Sequence, residues 1–153
     1  MSGNVEYIHI AAAAGAPVQS VSSVEAVAGL GLAGDRYARD DGHWTDGNVS
    51  RNVTLIEAEE IERLAAESGI QLASGESRRN LTTRGIRLND LVGKEFFIGG
   101  VLARGTKLCE PCAYLSEMTG KPLIKLMVHR AGLRADLLTG GRISVGDEIR
   151  PQG

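Results

Sequence analysis

Clustered basic residues, cysteines and long apolar runs are all scarce in this sequence, and each scarcity argues against a class of protein. The net charge is −2 and the lysines and arginines are dispersed, which argues against tight binding to a nucleic-acid backbone. No apolar run can span a bilayer, and the first residues lack the pattern of a signal peptide. Two cysteines are too few for a disulfide scaffold. We therefore expect a cytoplasmic protein that binds neither nucleic acid nor membranes.

Aromatic residues are also rare, whereas glycine is abundant, and this combination favours short strands joined by tight turns. The 153 residues include 20 glycines, and aromatic residues make up 4%. The core must then be built mainly from valine, isoleucine, leucine and alanine. The length fits one domain over residues 1–153 and is sufficient to bury a core.

Alternating apolar segments predict a mainly β fold. "VEYIHI", "RNVTLI" and "SRRNLTTRGI" predict strands, and "KEFFIGGVLARGTKL" predicts a hairpin that bends at Gly99 and Gly100. "EAEEIERLAAESG" predicts a helix near Glu57–Glu67 that ends at Gly69. "KPLIKLMVHRAG" predicts a second helix that ends at Gly132. The order of these elements predicts a β-barrel-like sheet with two or three attached helices.

The two cysteines, Cys109 and Cys112, form a CEPC motif whose chemistry the spacing leaves open. A zinc site needs two further ligands, and the three histidines include no close pair. A redox pair of the thioredoxin kind needs a β-α-β context, whereas this motif follows a predicted hairpin. Two buried cysteines are disfavoured because the segment is polar and Pro111 shapes it. The remaining interpretation is one working thiolate, Cys112, that ligates a soft metal or carries a sulfane sulfur.

The run "SRRNLTT" holds the best candidate for an anion clamp. In a strand, Arg78 and Asn80 share one face and Arg79 lies on the other. An inward guanidinium with neighbouring amide and hydroxyl groups suits a phosphate. The alternative is an edge strand with both arginines solvated.

A glycine-rich turn in "GLGLAGDRY" presents Asp35 and Arg36. The glycine spacing does not fit a dinucleotide fingerprint. The structural alternative is a turn closed by an ion pair between these two side chains.

Five segments, taken in order, resemble the MOSC domain, the C-terminal module of molybdenum-cofactor sulfurases that also occurs as small standalone bacterial proteins. They span Gly29 to Asp147 and are "GLGLAGDRY", "RNVTLIEAEEI", "RRNLTTRGIRLNDLVGKEFFIG", "GTKLCEPC" with "MTGK", and "GLRADLLTGGRISVGDEI". The resemblance implies a β-barrel-like fold and a pocket for the molybdenum cofactor, molybdopterin. It also implies one functional cysteine, matching Cys112, that ligates molybdenum or carries sulfur.

The resemblance further assigns cofactor contacts. An Arg-Pro-Asn run of the related mitochondrial amidoxime-reducing component falls on Arg78, Arg79 and Asn80, so Arg78 and Asn80 inherit its contact role. Arg79 replaces that proline, which leaves open which arginine faces the pocket. The other candidate cofactor contacts are Arg51, Arg134, Asp35 and Arg36.

The implied activity is the reduction of N-hydroxylated or related small-molecule substrates, with electrons from a separate reductase. One alternative is a sulfur carrier that holds a persulfide on Cys112 for a partner. Another is a non-catalytic module that binds or delivers the cofactor. The desulfurase domain of the larger relatives is not in this sequence, so we expect pyridoxal phosphate only through a cysteine desulfurase partner.

Overall fold

The computed structural model describes residues 2–11, 17–35, 53–71, 78–109 and 132–152. Within them the chain forms strands and one α-helix, α1 (Ala58–Ser68). The strands are β1 (Gly3–Ile10), β2 (Gln19–Val21), β3 (Ser23–Val27), β4 (Gly31–Leu32), β5 (Val53–Glu57), β6 (Leu81–Arg84), β7 (Glu95–Ile98), β8 (Val101–Leu108), β9 (Leu133–Leu137), β10 (Gly141–Ser144) and β11 (Glu148–Pro151).

Seven of these strands close into a β-barrel. The order around the barrel is β1, β6, β5, β9, β8, β7 and β11, and β11 pairs back onto β1 through Gly3 and Ile149. Among the described barrel pairs, β5 and β6 run parallel and the others antiparallel. The helix α1 leaves β5 directly because parallel neighbours need a crossover connection. The prediction of a mainly β, barrel-like fold is confirmed.

Alternation along the strands separates a barrel core from an outer face. In β9, Leu133, Ala135 and Leu137 are buried in the core, and the residues between them face outward. The core is aliphatic as predicted, with Phe96 as the aromatic residue among its described members.

The helix α1 lies where the sequence pattern of "EAEEIERLAAESG" predicts it. It buries Leu64, carries Glu59 and Glu60 in its first turn, and ends at Gly69, whose φ of 75° is left-handed. The Gly69 N–H donates to the Ala65 carbonyl oxygen at 2.9 Å. Acidic residues near the N-terminus suit the helix dipole, and glycine suits the left-handed cap.

Two further predictions have different outcomes. The hairpin with Gly99 and Gly100 at its bend is confirmed as β7 and β8. The helix predicted over 121–132 lies outside the described residues except at Gly132, whose φ is 113°. A Cβ atom there would collide with the Leu55 carbonyl oxygen, so a close approach to β5 requires this glycine.

The strand predicted across "SRRNLTTRGI" is shorter than expected. It begins at Leu81, and Arg78 has a left-handed φ of 60°. The expectation that strand alternation places Arg78 and Asn80 on one face is therefore wrong, because neither residue lies in the strand.

A smaller sheet packs beside the barrel, in the order β10, β3, β4. Its turn at Gly29 has a φ of 74°, consistent with the predicted glycine-rich turn. A 3₁₀ turn over Leu88–Leu91 occupies the turn predicted in "LNDLVG". In the part of the chain described, no helix is both long and apolar enough to cross a membrane.

Candidate functional site

A row of polar residues crosses the outer face of three neighbouring barrel strands and ends at the residue that precedes a fourth, β6. Thr54 of β5 pairs with Arg134 of β9, which pairs with Lys107 of β8. On the other side, the Thr54 hydroxyl donates to the Asn80 side-chain oxygen at 3.2 Å. Directly paired residues share a face, and strands lie about 4.8 Å apart, so the row extends about 14 Å. We call Asn80, Thr54, Arg134 and Lys107 the outer-face row.

Arg134 is the member of the row whose surroundings best suit a bound anion. Its Nη1 atom is buried and has no hydrogen-bond partner among the described residues. Leaving a buried donor unsatisfied costs about 1–3 kcal/mol, and more for a charged group. An anionic ligand at this position would satisfy the guanidinium.

Lys107 adds a second positive charge beside Arg134. The register shifts between Gly105 and Lys107, and the inserted Thr106 donates its hydroxyl hydrogen to the Arg134 carbonyl oxygen at 3.0 Å. This β-bulge brings Lys107 opposite Arg134. Like charges directly opposite each other destabilise a sheet, whereas a bound anion would offset their repulsion.

The geometry of this β-bulge depends on a glycine. A Cβ atom at Gly105 would collide with the Leu91 carbonyl oxygen. The bulge therefore needs a residue without a side chain, and bulges of this kind often re-aim side chains near binding sites.

Asn80, the residue before β6, links this strand to β5 and β1 through hydrogen bonds. It is fully buried, and its side-chain oxygen accepts hydrogen bonds from the N–H of Thr54 at 3.0 Å and from the Thr54 hydroxyl. Its side-chain nitrogen donates to the His9 carbonyl oxygen at 3.1 Å. These bonds fix Thr54 and the edge of the row, a role that the sequence did not reveal.

His9, on β1, lies beside Asn80. Its backbone N–H donates to the Asn80 carbonyl oxygen at 2.7 Å, and its ring stacks on Tyr7 with centroids 6.0 Å apart. Burial lowers the pKa of His9 because desolvation disfavours the imidazolium. Across the described segments, no group of three or more histidine, cysteine, aspartate or glutamate residues is arranged to hold a metal ion.

Arg78 lies two residues before Asn80 in an unusual backbone conformation. It is half-buried, and it is the non-glycine residue with a positive φ in the described ranges. Such strain costs about 1–3 kcal/mol and is found at ligand sites when the surroundings enforce it. Arg78 therefore remains a candidate contact, although not through strand alternation.

Asp35 is fully buried at the end of the glycine-rich turn. Its Oδ1 atom accepts a hydrogen bond from the Ala11 N–H at 2.9 Å, which ties the turn to the end of β1. The structure thus gives Asp35 a backbone partner, whereas Arg36 lies outside the described residues.

Cys109 is fully buried as a free thiol immediately after β8. Its N–H donates to the Gly132 carbonyl oxygen at 2.8 Å, which extends the pairing with β9 by one step. Cys109 lies two positions beyond Lys107 and three before Cys112. Cys112 and Arg51 lie outside the described residues.

A second polar cluster anchors α1 to the barrel. The Glu57 Oε2 atom accepts a hydrogen bond from the Leu88 N–H at 3.1 Å and lies 3.6 Å from Arg87 Nη1, which contacts Glu60 Oε2 at 3.0 Å. Burial raises the pKa of Glu57, since desolvation outweighs the Leu88 hydrogen bond and the Arg87 charge. No local sequence pattern links these glutamates to an arginine 27 residues or more away.

The fold and the row together define a small closed β-barrel protein with two paired cations, Arg134 and Lys107, on its outer face. A family model described as the MOSC domain matches residues 42–150, and the chain belongs to that family. The MOSC family is associated with binding of the molybdenum cofactor.

Similar solved structures support the fold. The YuaD protein of Bacillus subtilis matches with a TM-score of 0.80 and 19% identity, over 97% of this chain and 94% of that one. YiiM of Geobacillus stearothermophilus matches with a TM-score of 0.76 and 15% identity, over 99% and 75%. YiiM of Escherichia coli matches with a TM-score of 0.71 and 19% identity, over 100% and 70%. No curated protein matched the sequence significantly.

Proposed function

We propose that this protein binds a molybdenum cofactor against the outer-face row, with Cys112 as the molybdenum ligand, and reduces N-hydroxylated or related compounds. The observation that carries the proposal is the buried Nη1 atom of Arg134, which has no partner among the described residues and lies opposite a second cation, Lys107. The association of the MOSC family with the molybdenum cofactor supports this choice of ligand.

The row fits the phosphate-bearing end of such a cofactor. Arg134 offers a planar fork of donors that matches phosphate, and Lys107 offers a compact charge beside it. Thr54 and Asn80 hold the neighbouring surface in place through their mutual hydrogen bonds. Arg78, Arg51 and Arg36 are the further proposed contacts from the sequence.

The route of the chain supports placing the sulfur close to the row. The chain runs from Lys107 through the end of β8 to Cys109, and Cys112 lies three positions further on. Three residues of chain span at most about 11 Å between Cα atoms. A thiolate suits molybdenum because both partners are soft and covalent.

The proposed reaction removes one oxygen atom from the substrate. The N–O bond of the hydroxylamine or related group breaks, two electrons and two protons are taken up from a separate reductase and solvent, and the oxygen leaves as water. When bound, the cofactor supplies the two-electron chemistry. The chain's own residues bind its phosphate, orient it and hold its metal.

Molybdenum content tests this proposal directly. The protein is produced in a host that makes the cofactor, purified without oxygen and assayed for molybdenum and pterin. Arg134→Gln should reduce both at least tenfold, since removing a buried charged contact costs about 2–5 kcal/mol. The matched control is Arg142→Gln, an exposed arginine of β10. Equal content in both variants would contradict the proposal.

The alternative function is sulfur transport. Cys109 is fully buried, which shields it from a sulfur donor, so a persulfide would form on Cys112. A protein incubated with a cysteine desulfurase and free cysteine, which supplies the sulfur and is released as alanine, would then gain the mass of one sulfur atom. A protein that gains this sulfur but retains no molybdenum would favour the sulfur carrier. A protein that retains molybdenum but shows no turnover with an artificial electron donor would favour a delivery module.

A further inference from the structure

Asp136 is a second outward-facing charged residue on β9. It lies two positions beyond Arg134, so the two side chains share the outer face, and Ala135 between them is buried in the core. The Oδ1 atom of Asp136 is buried and has no hydrogen-bond partner among the described residues. A cation and an anion therefore lie side by side on one strand, each with a buried polar atom left unsatisfied.

Neighbouring cations do not neutralise Asp136. Arg104 pairs directly opposite it in the β8–β9 ladder, yet the Arg104 guanidinium binds Glu95, with Nη2 and Oε2 2.8 Å apart. No ion pair joins Asp136 to Arg134 within the described segments, although two residues of strand separate them by only about 7 Å. A structural ion pair would use one of these partners, so the carboxylate is better suited to a ligand.

We propose that Arg134 and Asp136 form a two-point subsite in which Arg134 binds an anionic group and Asp136 accepts a hydrogen bond from an N–H group of the same ligand. The ligand class is a phosphate ester of a nitrogen heterocycle that carries N–H donors. The inference rests on the proposed function, because a phosphate-bearing pterin belongs to this class. It adds the residue that distinguishes such a ligand from a simple phosphate.

The two charges predict opposite responses to two ligands. A carboxylate repels inorganic phosphate but gains a charge-assisted hydrogen bond from a heterocyclic N–H. A site built to hydrogen-bond a donor also rejects a ligand that lacks it, because the acceptor is then left unpaired. Asp136 therefore weakens phosphate binding and strengthens binding of the pterin phosphate.

The test is calorimetric titration of the full chain with inorganic phosphate and with 6-hydroxymethylpterin phosphate. Asp136→Asn should bind the pterin phosphate at least tenfold more weakly and inorganic phosphate as tightly as the wild type or more tightly. Arg134→Gln should lose affinity for both probes. The matched control is Glu148→Gln, an exposed acid of β11 that should change neither affinity.

Three outcomes would overturn the inference. The first is that Asp136→Asn binds the pterin phosphate as tightly as the wild type, and the second is that it loses affinity for both probes equally. In either case, binding of the pterin phosphate by the wild type leaves the proposed function standing. A wild type that binds neither probe contradicts the proposed function and this inference together. The thermal unfolding midpoint of Asp136→Asn should not fall, whereas loss of a structural contact would lower it.

Discussion

At the scale of single residues, the outer-face row contains side chains of two kinds. Asn80 and Thr54 satisfy each other and fix the surface, whereas Arg134 keeps a buried polar atom without a described partner. The first kind stabilises the fold. The second costs stability, which is typical of residues retained for binding.

Replacing Asn80 should therefore destabilise the fold more than replacing a residue that only contacts the ligand. Asn80→Ala leaves the Thr54 N–H and the His9 carbonyl oxygen without the partners they have in the native protein. Each unsatisfied buried group costs about 1–3 kcal/mol, so we expect a loss of about 2–5 kcal/mol. Urea unfolding measures it.

Thr54→Val provides the control for this prediction. The double variant should lose less than the sum of the two single losses, because both side chains belong to one network. A loss below about 0.5 kcal/mol for Asn80→Ala would match an ordinary surface site and would contradict the structural role.

Residue-level patterns revealed part of the site. "LRADL" alternates, so strand geometry alone places Arg134 and Asp136 on one face, although only Arg134 is among the contacts predicted from the sequence. Lys107 and Thr54 were missed because their positions depend on pairing between distant strands. In particular, the bulge at Thr106 changes which β8 residue lies opposite Arg134.

At the scale of elements, the contact between α1 and the barrel depends on buried carboxylates. Glu57 and Glu60 face Arg87, and burial raises the pKa of Glu57 above its ordinary value of 4.5. A raised pKa means that the folded state holds the Glu57 proton more tightly than the unfolded state. The stabilisation from protonated Glu57 is complete below its unfolded pKa and is lost as the pH rises through the folded one.

Glu57→Gln should consequently become more stable relative to the wild type as the pH rises from 4 to 7. The neutral amide keeps an acceptor for the Leu88 N–H without the desolvation cost of the charge. The difference in unfolding free energy between variant and wild type, measured across this pH range, should increase.

Glu62 provides a control of opposite sign for the Glu57 variant. The hydrogen bond from Arg84 lowers the pKa of Glu62, so its contribution is present above the unfolded pKa and lost as the pH falls through the folded one. Glu62→Gln should lose stability relative to the wild type at neutral pH and recover it in acid. Parallel pH profiles for the two variants would contradict the assignment of the Glu57 shift to burial.

Elements whose apolar residues recur at a regular local spacing could be predicted from the sequence. The helix α1 and the hairpin of β7 and β8 follow from apolar spacing and from the glycines that end or bend them. The strand predicted through Arg78 was wrong at its start, because the left-handed conformation there is rare for arginine and has no local signal.

At the scale of the whole molecule, the barrel brings distant segments together. Closure depends on the pairing of Gly3 with Ile149, near the two ends of the chain. Composition and turn spacing predicted a barrel-like sheet, but not which strands close it, since pairing between remote strands leaves no local pattern. The outer-face row depends on the strand order, which places β8, β9, β5 and the residue before β6 side by side.

The central claim is that this MOSC protein holds molybdenum through Cys112 beside the outer-face row. Molybdenum per chain, measured by elemental analysis after anaerobic purification from a cofactor-producing host, tests it most directly. Cys112→Ser should lose nearly all the metal, whereas Cys109→Ser, which alters a buried thiol, should keep most of it. Equal losses from the two substitutions, or full retention by Cys112→Ser, would contradict the account.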